Sequence, residues 1–406
     1  MAVDNRGASS TISSHPVRDV AVSTLATTTA ALPVFLVSTL AVQVRAELHF
    51  SASLIGLAIT LGYLGAAVAS VPAGRITERI SGVRVLRVAP VAGAMILFAM
   101  GSFVYSFVML AIALVLAGFV SAATATATNL FLARRSDPNW QGLIFGIKQA
   151  AVPLATLLGG VAVPAIALTL GWRFAFIGAG VIALAVGVSV PKPSTSLRER
   201  RAASGKIPRG ALPLGPLVIL GIGLGLGIFA ASGMIAYLVL TGVRIGIGNG
   251  ASGIIAAAAG LSAIVSRVVT GIRADRRGGA HFRAVRLMMI GGAIGYLVLA
   301  VGTDLRNPAL YLLGAVVSLG LGWGWNGLFN YAVVRAMIDA PARATGITQV
   351  GGRLGGVLGP FSVGLVIALG SPTLAWIGCA CVIALAAGAV WIGERLLAAS
   401  LTEVAR

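Results

Sequence analysis

The two halves of this chain carry the same hydrophobic pattern, about 200 positions apart. Residues 74–79 (GRITER) recur as 271–276 (GIRADR), at an offset of 197. Residues 146–149 (GIKQ) recur as 346–349 (GITQ), at an offset of 200. Several matches at nearly one offset predict a fold of two similar halves, with any binding site lying between them.

The composition places the repeat in a membrane. The 406 residues are 58% hydrophobic and 10% charged, whereas a soluble domain carries about 25% charged residues. Apolar stretches of 18 or more residues recur along the chain and are not alternating, which predicts transmembrane helices and excludes a transmembrane barrel. We predict twelve spans, near 20–43, 52–73, 86–103, 107–132, 142–168, 174–191, 212–240, 251–270, 285–303, 308–334, 345–369 and 373–392.

These spans predict an all-α polytopic protein of two pseudo-symmetric six-helix bundles. The first half covers 1–191 and the second covers 212–406. The segment 192–211, rich in Pro, Ser and Arg, is the predicted cytoplasmic linker.

The net charge of +19 invites a nucleic-acid reading, but the basic residues flank helix ends and form no single patch. With loops alternately inside and outside, the only basic residues on the sparse side are Arg45, Arg173, Arg244 and Arg306. This is the positive-inside bias of an inner-membrane protein with both termini in the cytoplasm. The start of the chain is polar and predicts no cleavable signal peptide.

We expect no metal, cofactor or disulfide. Cys379 and Cys381 are two positions apart on one predicted helix and face different ways. All three histidines lie outside the spans, and all 11 acidic residues lie in loops, tails or helix ends. A membrane enzyme would need such groups inside a cavity, so we expect no enzyme.

A loop motif gives a family resemblance. Gly-x-x-x-Asp/Glu-Arg follows the second span of each half and resembles the loop motif of the major facilitator superfamily. Together with the twelve spans, this resemblance implies secondary transport by alternating access, in which these segments act as a cytoplasmic latch. The implied latch residues are Gly74, Glu78, Arg79, Gly271, Asp275 and Arg276.

Two ionisable residues are predicted to lie inside spans, Lys148 in span 5 and Arg353 in span 11. A charge at a helix centre costs at least about 2.5–3.5 kcal/mol and usually faces a cavity. Snorkelling of both stems to the interface is the alternative. In the repeat, Lys148 corresponds to Thr348 and Arg353 to Pro153, so each charge occurs in one half only.

Other polar and aromatic residues complete the predicted site. Gln149 and Gln349 match in the repeat, and Gln349 lies one turn from Arg353. Span 10 has a dense aromatic and amide run, and aromatic walls with a few polar groups are typical of a small-molecule site. From this run and span 7 we predict as hydrogen-bonding and wall residues Asn326, Asn330, Trp325, Phe329 and Tyr237.

The sequence therefore predicts a transporter for a small anionic or carboxylate-bearing solute, working in the lipid bilayer as a monomer. Drug or metabolite efflux is the alternative, and a transporter-like sensor or a membrane enzyme is remote. Because no carboxylate or histidine is predicted inside a span, three forms of coupling stay open. The proton travels with the substrate acid, Lys148 titrates, or the protein is a uniporter.

Overall fold

The structure is a computed structural model that describes residues 16–135, 141–190, 212–277, 281–337 and 341–404. These residues form an all-helical bundle. The predicted linker 192–211 lies outside them. The helices are α1 (Pro16–Thr39), α2 (Ala41–Leu48), α3 (Ala52–Ile80), α4 (Gly82–Phe103), α5 (Phe107–Arg135), α6 (Gln141–Gln149), α7 (Ala151–Ala162), α8 (Trp172–Ser189), α9 (Leu214–Arg244), α10 (Asn249–Arg277), α11 (Phe282–Asp304), α12 (Pro308–Gly320), α13 (Asn326–Ala336), α14 (Pro341–Ala368) and α15 (Pro372–Val404).

Eleven helical segments are long and apolar enough to cross a membrane. The tenth span, predicted as continuous over 308–334, is instead two helices, α12 and α13, separated by 321–325. Glycines at 320, 322 and 324 lower the helix propensity there, and the freed backbone is packed inside the protein. The fifth span is also interrupted, at Ala150 between α6 and α7, and α7 continues into a π-helical turn over Val163–Ala167.

The duplicated sequence produces duplicated turns. Gly171 before α8 has φ +102°, and Gly370 before α15 has φ +92°. Both lie at the start of the last span of their half, in the left-handed region that favours glycine. The same backbone device therefore reverses the chain before span 6 and before span 12.

Within the second half, α9 and α14 pack backbone to backbone. A Cβ atom at Gly355 would overlap the carbonyl oxygen of Gly225, and one at Gly351 would overlap that of Gly221. Small residues that let helix backbones approach are the usual basis of packing in a membrane, where apolar burial alone gives little drive.

Two seams join the halves, and the repeat relates them. In the first seam, Gly56 of α3 packs against the Pro360 carbonyl of α14. In the second, Gly253 of α10 packs against the Gly160 carbonyl of α7. Gly56 and Gly253 are 197 positions apart, and Gly160 and Pro360 are 200 apart. The halves therefore meet by equivalent contacts about a pseudo-two-fold axis.

We call the end of the bundle that holds Arg45, Arg173, Arg244 and Arg306 the sparse end, and the other the basic end. At the sparse end Arg173 of α8 forms an ion pair with Glu47 of α2, with Nη2 2.8 Å from Oε1. Trp172 Nε1 donates to the same carboxylate at 2.5 Å. Partial burial works to raise the pKa of Glu47, but the hydrogen bonds from Arg173 and Trp172 and the Arg173 charge outweigh it and lower that pKa.

The α9–α14 contact gives a test of packing. Gly355→Val forces these helices apart, and overpacking of this kind costs about 1–3 kcal/mol. We expect a lower midpoint of thermal unfolding in detergent. Unfolding is measured by the reaction of buried Cys379 with a maleimide dye, in a background in which the exposed Cys381 is changed to Ser. Gly388→Val is the control, because nothing lies within 4 Å of a Cβ at Gly388. Equal midpoints for the two variants would show that the contact is not tight.

The Glu47 ion pair gives a test of pH dependence. Because folding lowers the pKa of Glu47, its contribution is present above the usual carboxyl value and is lost as pH falls through the folded value. We expect Glu47→Gln to unfold at a lower temperature than the wild type at pH 7, by the equivalent of at most about 1 kcal/mol for a part-exposed pair. The two midpoints should converge below about pH 4. A constant difference over this range, or an equal effect of Asp304→Asn at the same end, would contradict the pairing.

Candidate functional site

The candidate site is a group of polar side chains from both halves, which we call the polar layer: Asn129, Lys148, Gln149, Asn326, Asn330 and Gln349. Lys148 is buried on α6, and its Nζ donates to Asn129 Oδ1 of α5 at 2.9 Å. The desolvated ammonium group thus has an amide acceptor and does not reach the interface by snorkelling. Lys148 is part of the protein interior.

An amide chain runs from the second half into the first. Gln349 Nε2 donates to Asn330 Oδ1 at 2.8 Å, and Asn330 Nδ2 donates to the Asn326 carbonyl at 3.2 Å. Gln149 Nε2 of the first half donates to Asn326 Oδ1 at 3.4 Å. The four predicted hydrogen-bonding residues are therefore brought together across the interface between the halves.

Lys148 and Gln349 make similar bonds from neighbouring positions of the repeat. The bond from Lys148 to Asn129 and the bond from Gln349 to Asn330 each join residues 19 positions apart. Thr348, which matches Lys148 at the offset of 200, is also buried and packs against α9 at Gly221. At this position of the repeat, one half has a cation and the other has a neutral hydroxyl.

Arg353 is exposed on α14. Its helix face is shared with Gly356, where a Cβ would lie 3.3 Å from Tyr63 of α3, and with Val357, whose carbonyl accepts from Thr60 Oγ1 of α3 at 2.9 Å. Arg353 is one turn nearer the basic end than these inter-half contacts. Arg353 therefore lies on the helix face that meets the first half, on the basic-end side of these contacts.

The three predicted wall residues pack away from the polar layer. Trp325 is fully buried against Gly227 of α9, and its Nε1 donates to the Gly322 carbonyl at 2.6 Å. Phe329 is buried between the Trp325 and Phe282 rings, with centroids 6.0 and 6.2 Å away. Tyr237 is buried at the sparse-end contact of the halves, beside Gly56. Helical spacing gave the residue types correctly but not the direction in which they point.

Arg267 is a buried charge that the sequence reasoning missed. It lies on α10 with 3% of its surface exposed, within the predicted span 251–270. Its Nη1 donates to the Gln149 carbonyl, and its Nη2 donates to the Trp323 carbonyl at 3.2 Å. The prediction of only two ionisable residues inside spans is therefore wrong. The signal was available, because the repeat places neutral Ser70 opposite Arg267 at the offset of 197.

Trp323 is the aromatic residue that does border the polar layer. Its ring stacks on Phe35 of α1 with centroids 6.4 Å apart, and the Arg267 guanidinium carbon lies 4.6 Å from its centroid. Asp19, in the first turn of α1, is the one acidic side chain that the structure buries among the described residues, at 3% exposure.

The two latch glycines have no close neighbour in the described structure. Nothing lies within 4 Å of a Cβ at Gly74 or at Gly271. Arg79 and Arg276 are exposed, and the side chains of Glu78 and Asp275 lie outside the described part of the structure. The halves are thus closed from the sparse end to the polar layer, while their latch glycines have open space.

The sequence matches the model of the Major Facilitator Superfamily over residues 23–360. The chain belongs to the major facilitator superfamily. This member is therefore a multi-pass membrane transporter of the alternating-access type and not an enzyme, which confirms the resemblance and the predicted fold class.

Solved structures share the fold. A bacterial homolog of the human lysosomal transporter Spinster, in an inward-facing and occupied conformation, gives a TM-score of 0.70 at 14% identity, over 93% of this chain and 96% of that one. A D-xylose-proton symporter gives 0.72 at 16% identity, over 93% and 98%. A comparison with curated proteins gives no match.

The repeat itself supplies a variant that tests how Lys148 is held. Lys148→Gln reproduces the Gln349–Asn330 pair of this transporter's second half and removes a charge that costs at least about 2.5–3.5 kcal/mol in a helix centre. We expect Lys148→Gln to unfold at the wild-type temperature or above it. Lys148→Leu, which leaves Asn129 without its donor, should unfold below Lys148→Gln. The reverse order would mean that Lys148 is held by groups other than Asn129.

Proposed function

We propose that this protein moves a small anionic or carboxylate-bearing solute across the inner membrane. The carrying observation is the charge around the polar layer. Lys148 belongs to it, Arg267 donates to the Gln149 carbonyl beside it, and Arg353 is exposed one turn from Gln349. The ion pairs Arg173–Glu47 and Arg286–Glu394 lie elsewhere.

An anion would lower the cost of this arrangement. A buried cation loses its hydration, and without a carboxylate partner only the dipoles of neighbouring groups offset that desolvation penalty. A carboxylate or inorganic anion entering the opening would gain charge-assisted hydrogen bonds, which are roughly twice as strong as neutral ones. A lipophilic cation would meet repulsion from the same groups. The positive charge around the polar layer therefore favours an anionic solute over a cationic one.

The roles follow from the contacts. Arg353, on the open side, meets the anion first, and Lys148 attracts it to the polar layer. Gln149, Gln349, Asn326 and Asn330 donate and accept hydrogen bonds. We assign the aromatic wall to Trp323 and Phe35, in place of Trp325, Phe329 and Tyr237, because these two stack at the layer.

The orientation follows from the charge of the two ends. Basic loops stay in the cytoplasm, so the basic end is cytoplasmic and both termini lie there. The structure is then an inward-facing conformation. In the outward-facing conformation the latch would close, with Gly74 and Gly271 allowing close approach and Arg79 and Arg276 bridging to Glu78, Asp275 or helix-end carbonyls.

We propose a proton as the coupling ion. The D-xylose-proton symporter carries a proton, as its name states. The proton would travel with the substrate acid or on Lys148, since the polar layer holds no carboxylate among the described side chains. The two halves contain the whole site, so a monomer is sufficient.

The test is uptake into proteoliposomes of radiolabelled monocarboxylates, dicarboxylates and inorganic anions, with tetraphenylphosphonium as the lipophilic cation. We expect anion uptake by the wild type. Lys148→Gln and Arg353→Gln should each lose at least about tenfold in uptake, since a hydrogen bond to a charged group contributes about 1.5–3 kcal/mol.

Arg84→Gln is the matched control, because it removes an exposed arginine at the start of α4 that is not part of the polar layer. It should transport as the wild type does. Movement of tetraphenylphosphonium alone, unaffected by both site variants, would replace this proposal with drug or metabolite efflux. The absence of any flux with folded protein would favour a sensor.

A further inference from the structure

One arginine joins the two halves through a carbonyl that a proline leaves free. In a continuous helix, the N–H of residue 153 would donate to the carbonyl of residue 149. Residue 153 is proline, which has no N–H. The Gln149 carbonyl at the end of α6 therefore has no donor in its own helix, and Arg267 of the other half donates to it.

The second bond of Arg267 reaches another interrupted helix. Its Nη2 donates to the Trp323 carbonyl, in the break between α12 and α13 of its own half. The guanidinium also lies over the Trp323 ring, which stacks on Phe35 of the first half. Arg267 thus pairs with one broken helix in each half, and its planar fork is suited to two directed bonds.

The bond lies on the basic-end side of the glycine contacts in its seam. From the sparse end inwards, Gly250 packs near Pro164, Gly253 against Gly160, and then Gly260 against the Pro153 carbonyl. Arg267 comes two turns after Gly260. One turn further on, Gly271 has no neighbour within 4 Å of a Cβ position.

Among the residues that the structure describes, the other seam shows no bond from a charged side chain at this level. Ser70, the repeat partner of Arg267, donates to the Ala66 carbonyl of its own helix at 2.6 Å. A hydrogen bond that joins the halves in that seam, from Thr60 to Val357, is a neutral one. The two seams are equivalent in backbone packing but not in the strength of their polar contact.

We propose that Arg267 is a positioning residue for alternating access: its bond to the Gln149 carbonyl stabilises the conformation in which the halves are closed at the sparse end. Opening that end separates α7 from α10 and must break or lengthen the bond. Arg267 Nε is buried and has no hydrogen-bond partner. An anion that enters the polar layer would accept from this N–H and compete with the Gln149 carbonyl for the guanidinium. The stabilisation itself does not require the anionic substrate proposed above.

The test uses no substrate, so its failure is separate from that of the proposed function. Spin labels at Val108→Cys and Leu369→Cys, in a background without Cys379 and Cys381, report the distance between the halves at the sparse end. Both positions are exposed. We expect Arg267→Gln to raise the population with the longer distance at least several-fold, and Arg267→Lys, which keeps a donor and the charge, to give a smaller increase.

Pro153→Ala is the second route, and it keeps Arg267. The restored N–H competes for the Gln149 carbonyl, so the longer distance should again increase. Because both variants break the same bond, the double variant should shift the population no further than the larger single variant. Pro90→Ala removes a helix proline from α4, away from the seams, and should leave the distances unchanged.

An unchanged distribution in Pro153→Ala would overturn the proposal, even where Arg267→Gln fails to fold. Fully additive effects of Arg267→Gln and Pro153→Ala would also overturn it, because they would mean that the two residues act through different contacts. A shift in Pro90→Ala as large as that in Pro153→Ala would assign the effect to helix flexibility.

Discussion

A helix in a hydrocarbon layer cannot leave a backbone carbonyl without a donor, because no water is there to supply one. Spans 5 and 10 of this protein are both interrupted. The carbonyls of Gln149 and Trp323 at these interruptions accept from the same guanidinium, that of Arg267. One side chain therefore donates to both interrupted helices, and because the helices belong to different halves it also joins the halves beside the polar layer.

The pseudo-symmetry and its violations have separate consequences. Equivalent glycine contacts, Gly56 with Pro360 and Gly253 with Gly160, give two matched seams about which the halves can rock. The charged side chains in the interior lie at positions where the two halves differ. Lys148 takes the place of Thr348, and Arg267 takes that of Ser70. A symmetric protein with these packing contacts would have a neutral centre, whereas this one has a positive centre and one seam with a stronger polar contact than the other.

The sequence predicted the features that depend only on the order of residues along the chain. Twelve hydrophobic stretches, the latch motif and the lone charges Lys148 and Arg353 can all be read from spacing and hydropathy, and the amides from Gln149 to Asn330 do meet. Direction around a helix was harder. Trp325 and Phe329 belong to a dense aromatic and amide run, but both rings pack inside the second half, against each other and Phe282. Spacing along one helix shows which side chains share a face, and only the packing of the neighbouring helices decides what that face meets.

Arg267 separates what can be read from the sequence from what requires the tertiary structure. The sequence alone determined the membrane class, the repeat of two halves and the excess of positive charge. Each of these depends only on the types of residues and their order along the chain. It also contained Pro153 and Arg267, 114 positions apart, with nothing to connect them. Only the tertiary structure decided that the carbonyl freed by the first lies opposite the guanidinium of the second. A hydrogen bond depends on the distance between two atoms, and that distance is set by how α7 packs on α10.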